Sequence, residues 1–340
     1  MFRRTSSWST QRRASATPCV ALTITLLAAC SSADTEESEL PWSLIFESAD
    51  EAVLSVSGSS ASDVWLVGAD AGAGPLVLHW DGGSWDRKAT GLSGDLWWVQ
   101  AHADGSVYMS GSGANVLRYR DGELERMPTP GLAEQVVFGV WANTSDDVYA
   151  VGGAQGRNGF IWHYDGQSFR ELPLPEALPL DQSSAPPGFF KVWGRAGDDV
   201  WIVGASGTIL RGDATRGFDV IATGGEDAFF TVHGDDRDVA IVGGLTNGIV
   251  LEDHGAGLSE STPPGAGMLQ GVWLASDGTL YTAGIAGRVF ARGPTDGDWS
   301  DISGNYPVQS LHSVWADPDG GVWTVGGNVL TTRLDDGVAL

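Results

Sequence analysis

The stretch that decides the fold is SVSGSSASDVWLVG at residues 55–68, which returns almost unchanged as KVWGRAGDDVWIVG at residues 191–204. Its second half, an apolar–aromatic–apolar run closed by glycine, recurs along the chain about every 42 residues. The seven copies are DVWLVG (63–68), SVYMSG (106–111), DVYAVG (147–152), DVWIVG (199–204), DVAIVG (238–243), TLYTAG (279–284) and GVWTVG (321–326). A repeat of this length indicates one supersecondary unit copied seven times.

Each unit contains four strand-like runs. In different units these are FGVW (138–141), the repeated element itself, LVLHW (76–80) and SWDRKA (84–89). Asp-Gly pairs, which favour tight hairpin turns, separate the third run from the fourth. They are Asp81-Gly82, Asp121-Gly122, Asp165-Gly166 and Asp296-Gly297. Four strands in about 42 residues, seven times over, predict an all-β, seven-bladed β-propeller with four-stranded antiparallel blades.

The second strand of each unit is apolar on both faces. In DVWLVG, Val64 and Leu66 point one way, and Trp65 and Val67 point the other. A half-buried strand would alternate with polar residues, whereas a blade packed between two neighbours buries both faces. We expect the glycine that closes the element to supply a positive φ where the chain leaves the strand.

The two ends of the repeat region predict a closed ring. The seventh unit runs out at RLDDGVAL (333–340), where its fourth strand should begin. Residues 41–48 precede the first strand of unit one, and Trp42 corresponds to Trp85, Phe169 and Trp299 of other fourth strands. We therefore predict that residues 41–48 complete the seventh blade, which removes free sheet edges. In a weaker alternative, residues 338–340 fill part of that position.

The first 29 residues predict an export signal. Four arginines and no acid precede the apolar run CVALTITLLAA (19–29), which is short for a membrane span. The end of the run, Leu27-Ala28-Ala29-Cys30, resembles the bacterial lipobox, which implies acylation of Cys30. We then expect residues 30–40 to form an acidic tether and the protein to be anchored by lipid at the bacterial cell envelope, with the outer membrane favoured. An ordinary secretory peptide cut after Ala29 is the alternative.

Composition restricts the partners. The chain carries a net charge of −24 with 43 acidic residues, which argues against nucleic acid and against electrostatic attachment to anionic lipid. Its two cysteines, Cys19 and Cys30, both precede the repeats, so the folded part has no disulfide and no thiolate metal site. We expect a monomer without a cofactor.

The pattern VWG–DVWxVG–LxHWDG–W resembles secreted bacterial propeller repeats. The segment VYAVGGAQGRNGFIWHYDGQSFRELP (148–173) is also similar to Kelch-like blades, with its glycine pair, Tyr164 and an aromatic residue in strand four. The resemblance covers about residues 41–340 and implies the fold rather than an activity. ADPDGGVW (316–323) is similar to a sialidase Asp-box, but it lies between the first and second strands instead of the third and fourth.

The repeated residues favour structural roles. The aspartates before the second strands, such as Asp63 and Asp199, recur at one turn, and we interpret them as turn caps. Ser57, Gln100 and His233 replace the first-strand tryptophan and are candidates for a polar patch in the central channel. The acidic turns at 234–238, 295–301 and 317–321 contain hard oxygen ligands that suit calcium, although none has a full ligand pattern. No catalytic set or metal site is predicted.

The longest loops are the most informative departures from the repeat. They are ADAGAGP (69–75), GAQGRNG (153–159) and PLPEALPLDQSSAPPG (173–188), and all three fall on one face of the predicted propeller. We predict a binding face there, with Arg157, Asn158, Asp181 and Gln182 as its candidate residues. The predicted function is a lipid-anchored, non-catalytic binding scaffold for a protein or glycan partner. The alternatives are a hydrolase or lyase acting on glycans at the channel mouth, and an envelope-assembly scaffold.

Overall fold

The computed structural model describes residues 42–154, 157–294, 297–304, 309–329 and 334–340. The strands up to the fourth blade are β1 (Phe46–Ala49), β2 (Val53–Ser60), β3 (Asp63–Asp70), β4 (Pro75–Trp80), β5 (Trp85–Arg87), β6 (Leu96–Ala101), β7 (Val107–Gly111), β8 (Asn115–Arg120), β9 (Glu123–Met127), β10 (Val136–Thr144), β11 (Asp147–Ala154), β12 (Arg157–Tyr164) and β13 (Phe169–Glu171). The remaining strands are β14 (Phe189–Ala196), β15 (Asp199–Gly204), β16 (Ile209–Asp213), β17 (Gly217–Val220), β18 (Phe229–Gly234), β19 (Val239–Gly243), β20 (Ile249–Asp253), β21 (Leu258–Glu260), β22 (Leu269–Leu274), β23 (Leu280–Gly284), β24 (Val289–Arg292), β25 (Ser300–Asp301), β26 (Ser310–Ala316), β27 (Val322–Asn328) and β28 (Asp335–Ala339).

These strands form seven separate four-stranded antiparallel sheets. Six sheets consist of four consecutive strands, from β2–β5 to β22–β25, and the seventh joins β26, β27 and β28 to β1. The first strands of neighbouring blades contact one another around the ring, and β2 contacts β26 to close it. The predicted seven-bladed β-propeller is therefore confirmed, and its first strands surround a central channel.

The N-terminal strand closes the seventh blade, as predicted. β1 runs antiparallel to β28, with Phe46 opposite Ala339 and Ala49 opposite Gly337. The strand begins at Phe46, within the predicted segment 41–48, whose first residue lies outside the described residues. The C-terminal stretch is the third strand, because Val338 pairs with Gly326 of β27. The expectation that residues 333–340 mark the missing fourth strand, and the alternative that 338–340 fill it, are both wrong.

Trp42 occupies the position that its correspondence to Trp299 predicts. The indole N–H of Trp42 donates to the carbonyl of Ile302, 2.6 Å away, just after the fourth strand of blade six. In the same way, Trp299 donates to the carbonyl of Ser261, just after the fourth strand of blade five. Each indole thus ties the outer edge of its own blade to the preceding one.

The second strands are buried on both faces, as their composition predicts. Val64, Trp65, Leu66 and Val67 are each no more than 2% exposed. Trp65 and Val67 pack toward the second blade, whereas Val64 and Leu66 pack toward the seventh. Burying apolar surface between blades contributes about 25 cal/mol per Å² and holds the ring together without disulfides.

The closing glycines serve a different purpose from the expected one. None of the seven has a positive φ, so that expectation is wrong. Instead, a Cβ on any of them would overlap a backbone carbonyl at the start of the first strand; at Gly243 that carbonyl belongs to Ala228. The next residue, Gly244, donates its N–H to the same carbonyl oxygen at 2.9 Å. Glycine is required because two backbones meet here.

The predicted signal peptide, Cys30 and the acidic tether lie outside the described residues. Within the described ranges, no helix is both long enough and apolar enough to cross a membrane.

Candidate functional site

Every first strand contains a bulge near its start, directly opposite the closing glycine. In blade five, Phe229 pairs with Gly243 and Thr231 pairs with Val242, which leaves Phe230 as the extra residue. Bulges redirect side chains, and they are common beside binding sites. The seven extra residues, one from each blade, are Leu54, Trp97, Phe138, Phe190, Phe230, Gln270 and His312.

These seven residues line one cavity of about 250 Å³ at a mouth of the channel. We call this cavity the cup; Lys191 and Thr231 complete its lining. Its aromatic side forms a continuous arc, since ring centroids lie 5.4 Å apart for Trp97 and Phe138 and 5.7 Å apart for Phe138 and Phe190. Phe190 and Phe230 stack at 5.7 Å. The arc presents a preformed surface to an apolar or aromatic group.

The cup opens on the face that carries the long loops. First strands begin where the blade-to-blade connections end, and in an antiparallel blade the loops between second and third strands lie on that same face. We call it the loop face. The three exposed large apolar residues of the described chain also lie in its loops: Leu132 between β9 and β10, Leu180 between β13 and β14, and Leu245 between β19 and β20. Their side chains are 57–63% exposed.

The four predicted binding residues lie at the rim of the loop face. Arg157 and Asp181 form an ion pair at 2.5 Å, and Asn158 and Gln182 are exposed. Asp181 also accepts hydrogen bonds from the backbone N–H groups of Ala185 and Ser183, and the first of these contributes most to lowering its pKa. The structure thus brings the two charged candidates together, and they bind each other.

The 173–188 loop connects this rim to the cup. Arg157 forms an isolated β-bridge with Pro187, two residues before β14 begins at Phe189. The next residue, Phe190, is part of the aromatic arc. The rim and the cup wall are therefore joined by a short stretch of chain.

Ser57, Gln100 and His233 all line a second, deeper cavity of about 100 Å³ in the channel. Each accepts a hydrogen bond from a backbone N–H of the next first strand: Ser57 from Ala101 at 3.0 Å, Gln100 from Ala142 at 2.7 Å and His233 from Leu274 at 3.0 Å. Burial lowers the pKa of His233 to about 3, so its ring is neutral. The three predicted residues therefore line the same cavity. Their polar atoms, however, are engaged in hydrogen bonds that join neighbouring blades.

The repeated aspartates pair across their blades with bases that lie in the third strand or directly after it. Asp63 lies 2.8 Å from His79, Asp147 lies 2.7 Å from His163, and Asp238 lies 2.9 Å from His254. In blade four, Arg211 replaces the histidine and contacts Asp199 at 2.6 Å. These aspartates therefore have a structural role. They pair with side chains of another strand or of the residue after it, and not only with the backbone of their own turn as predicted.

In the acidic turns that the structure describes, the aspartate side chains accept hydrogen bonds from the backbone of the same turn. Oδ1 of Asp317 accepts from the N–H groups of Asp319 and Gly321, and Oδ1 of Asp235 accepts from those of Arg237 and Asp238. In the part of the chain that the structure describes, no group of three His, Cys, Asp or Glu side chains could hold a metal ion. The turn at 295–301 is only partly described.

Two partly buried bases lie on the polar side of the cup. Nζ of Lys191 donates to the carbonyl of Phe138 at 2.9 Å and lies 4.6 Å from the centroid of the Trp98 ring. Burial lowers the pKa of Lys191 to about 7. His312 donates from Nε2 to the carbonyl of Gly327 at 3.2 Å, and burial lowers its pKa to about 4.

The described linings of both channel cavities contain no carboxylate. A glycosidase of the usual type needs two carboxyl groups about 5–9 Å apart. The glycan-cleaving alternative therefore has no such pair among these lining residues.

The cup residues were not among the sites predicted from the sequence. The seven extra residues stand three positions before the first-strand aromatic or its replacement, as in VVFGVW (136–141), FFKVW (189–193) and FFTVH (229–233). At this position the residue varies between units, from leucine and phenylalanine to glutamine and histidine. A search for repeated residue types therefore does not find it. The side chain that recurs three positions before the first-strand aromatic is the signal that could have revealed the cup.

No protein-family model matches the sequence, and no curated protein matches it. Solved structures match at the level of the fold. A streptogramin B lyase is 13% identical, covers 87% of this chain and 96% of its own, and gives a TM-score of 0.68. The WD40 propeller domain of Doa1 is 14% identical with a TM-score of 0.64, covering 87% and 95%. YCF48 from Cyanidioschyzon merolae is 14% identical with a TM-score of 0.62, covering 88% and 97%.

These similarities agree with the propeller fold that the seven sheets show, and at this identity they show nothing beyond the fold. The similar structures include both an enzyme and a protein described in complex with a peptide, YCF48 bound to D1 peptide, which has a TM-score of 0.51 here. The fold therefore leaves function to the site.

Proposed function

We propose that this propeller is a non-catalytic binding module that docks a protein partner on its loop face, with an apolar group of the partner seated in the cup. The observation that carries the proposal is the common location of the cup and the three exposed leucines. A pocket that shares one face with exposed apolar residues is typical of a protein–protein interface with an anchor residue.

The chemistry of the face favours a protein over a glycan. Sugars stack on aromatic rings but also need many hydrogen bonds to their hydroxyl groups, and five of the nine cup residues are Leu, Trp or Phe. The exposed leucines would gain from contact with apolar side chains and offer nothing to hydroxyl groups. The Arg157–Asp181 pair at the rim provides a polar margin, where charged groups affect association rate more than affinity.

We further propose that the protein acts at the cell envelope, where a lipid on Cys30 anchors it. The lipobox-like end of the leader and the acidic tether support this part of the proposal. The net charge of −24 would repel anionic headgroups, so the acyl chains must supply the attachment.

Cys30→Ala is expected to abolish incorporation of labelled palmitate and to move the propeller out of the membrane fraction. Thioether-linked acylation requires the cysteine sulfur, and nothing else in the leader replaces it. Fractionation and metabolic labelling in a lipoprotein-producing bacterial host measure both effects, with Cys19→Ala as the matched control. Unchanged labelling in the Cys30 variant would refute the anchor.

The docking face is tested by photocrosslinking in envelope preparations. A photoreactive phenylalanine at Leu132, Leu180 or Leu245 should give the same crosslinked protein from all three positions. The same residue at Asp104, Asp146 or Asp236, on loops of the opposite face, should give none. Replacing the three leucines by serine should lower recovery of that protein at least about tenfold. Arg157→Ala with Asp181→Ala should have a smaller effect. Equal crosslinking from both faces would overturn the assignment.

A further inference from the structure

The polar side of the cup holds one group that can carry a charge near neutral pH. Lys191 comes from β14, and the surrounding strands contribute Trp98 from β6, the carbonyl of Phe138 from β10, Thr231 from β18, Gln270 from β22 and His312 from β26. Of these neighbours only His312 can titrate, and its low pKa keeps it neutral. The cup is thus an apolar arc facing a single amine.

Lys191 has no counter-ion among the described residues. Its ammonium group has three N–H donors, of which one binds the carbonyl of Phe138. The Trp98 ring provides a cation–π contact at 4.6 Å, which partly compensates a buried positive charge. In a chain with 43 acidic residues, a lysine placed away from every described carboxylate indicates a site that receives its anion from outside.

A second polar group of the cup also lacks a partner. The side-chain oxygen of Gln270 is buried and accepts no hydrogen bond from the described residues. A buried amide oxygen needs a donor, which an ionised carboxylate does not carry, so this oxygen adds polar character to the wall and does not itself contact the anion. Both unsatisfied groups therefore lie in the wall of the same cavity.

We propose that the cup binds an apolar group that bears a carboxylate, with the apolar part against the aromatic arc and the carboxylate on Nζ of Lys191. This inference rests on the proposed function, because it specifies the anchor that the partner inserts. A cavity of about 250 Å³ holds a group of about the size of one aromatic side chain with its acid. The charge-assisted hydrogen bonds formed there are roughly twice as strong as neutral ones.

Binding of a carboxylate must be linked to protonation of Lys191. The anion stabilises the ammonium form, so it raises the pKa of Lys191 from its free value near 7. Above pH 7 the free amine is mostly neutral, and binding then takes up close to one proton. Affinity should fall about tenfold for each pH unit between 7 and 9.

The test uses 3-phenylpropionate as the probe and its neutral amide as the control. Calorimetric titration at pH 6 and pH 8, in buffers of different ionisation enthalpy, gives affinity and proton uptake. We expect the acid to bind at least about tenfold more tightly than the amide at pH 6. We also expect uptake of about one proton at pH 8. The preference for the acid and the proton uptake should both disappear in Lys191→Met and persist in Lys88→Met. Lys88 is the matched control because the chain contains only these two lysines.

The possible failures are distinguishable. Equal binding of acid and amide without proton uptake would overturn the carboxylate assignment and leave the cup as an apolar docking site. A preference for the acid that survives in Lys191→Met would also overturn it. Binding of neither probe at about 10 mM, where even millimolar affinity gives a signal, would remove the cup from the proposed function as well. Labelling the two lysines with ¹³C at Cε gives an independent readout, because the acid alone should raise the titration midpoint of Lys191.

Discussion

Lys191→Met should raise the free energy of unfolding by roughly 4 kcal/mol at pH 6. The pKa of Lys191 is about 7 in the folded protein against an ordinary 10.5. Below pH 7 both folded and unfolded chains carry the charge, and the folded chain bears the full cost of burying it. Methionine keeps the length of the side chain without the charge, and it loses one hydrogen bond worth about 1 kcal/mol.

The advantage of the variant should shrink as the pH rises. Between pH 7 and 10.5 the folded lysine is neutral while the unfolded one still binds a proton, so wild-type stability increases with pH in this window. Urea unfolding followed by tryptophan fluorescence at pH 6, 8 and 9.5 measures the trend. Lys88→Met is the control, because Lys88 lies near the surface and pairs with Asp86 at 2.7 Å. A variant no more stable than wild type at pH 6 would show that Lys191 is solvated.

The architecture could be predicted from the sequence because each blade imposes the same packing on its second strand. In the second strand of blade one, Val64 to Val67 are buried on both faces and must be apolar. The same requirement produces a recognisable sequence pattern in the other units. Ring closure was predictable for a similar reason, since Trp42 repeats the contact that Trp299 makes with the preceding blade. The third strand of blade seven was missed because β28, DDGVA, lacks the longer apolar run of third strands such as β4, PLVLHW.

The site was harder to predict because its positions are fixed by geometry and not by residue type. A bulge presents whatever side chain stands there, so Leu54, Phe138 and Gln270 share a position without sharing chemistry. Sequence reasoning instead selected the broken tryptophan positions, such as Gln100, whose Oε1 is engaged in joining blades. The rim residues Arg157 and Asp181 were found from loop length, but loop length cannot show that they pair.

The repeated glycine and the cup depend on the same piece of backbone. At Gly243 the missing Cβ lets the carbonyl of Ala228 approach and accept the N–H of Gly244, and this contact adjoins the bulge at Phe230. The element that first identified the fold therefore also directs one side chain per blade into the channel mouth. Scaffold and site are specified by the same residue.

Gly243→Ala should destabilise the protein by at least about 3 kcal/mol, since its Cβ would overlap backbone atoms of Ala228 and Phe229, which cannot move aside as a side chain could. Gly225→Ala is the matched control: Gly225 is exposed, its φ is not positive, and no atom lies within 4 Å of the added Cβ. It should be neutral or slightly stabilising, because alanine restricts the unfolded chain. Urea unfolding of both variants measures the difference, and in any folded fraction of Gly243→Ala the displaced Phe230 should weaken binding of 3-phenylpropionate. Equal stability of the two variants would mean that the closing glycines are not required by backbone contact, and that the bulges form without them.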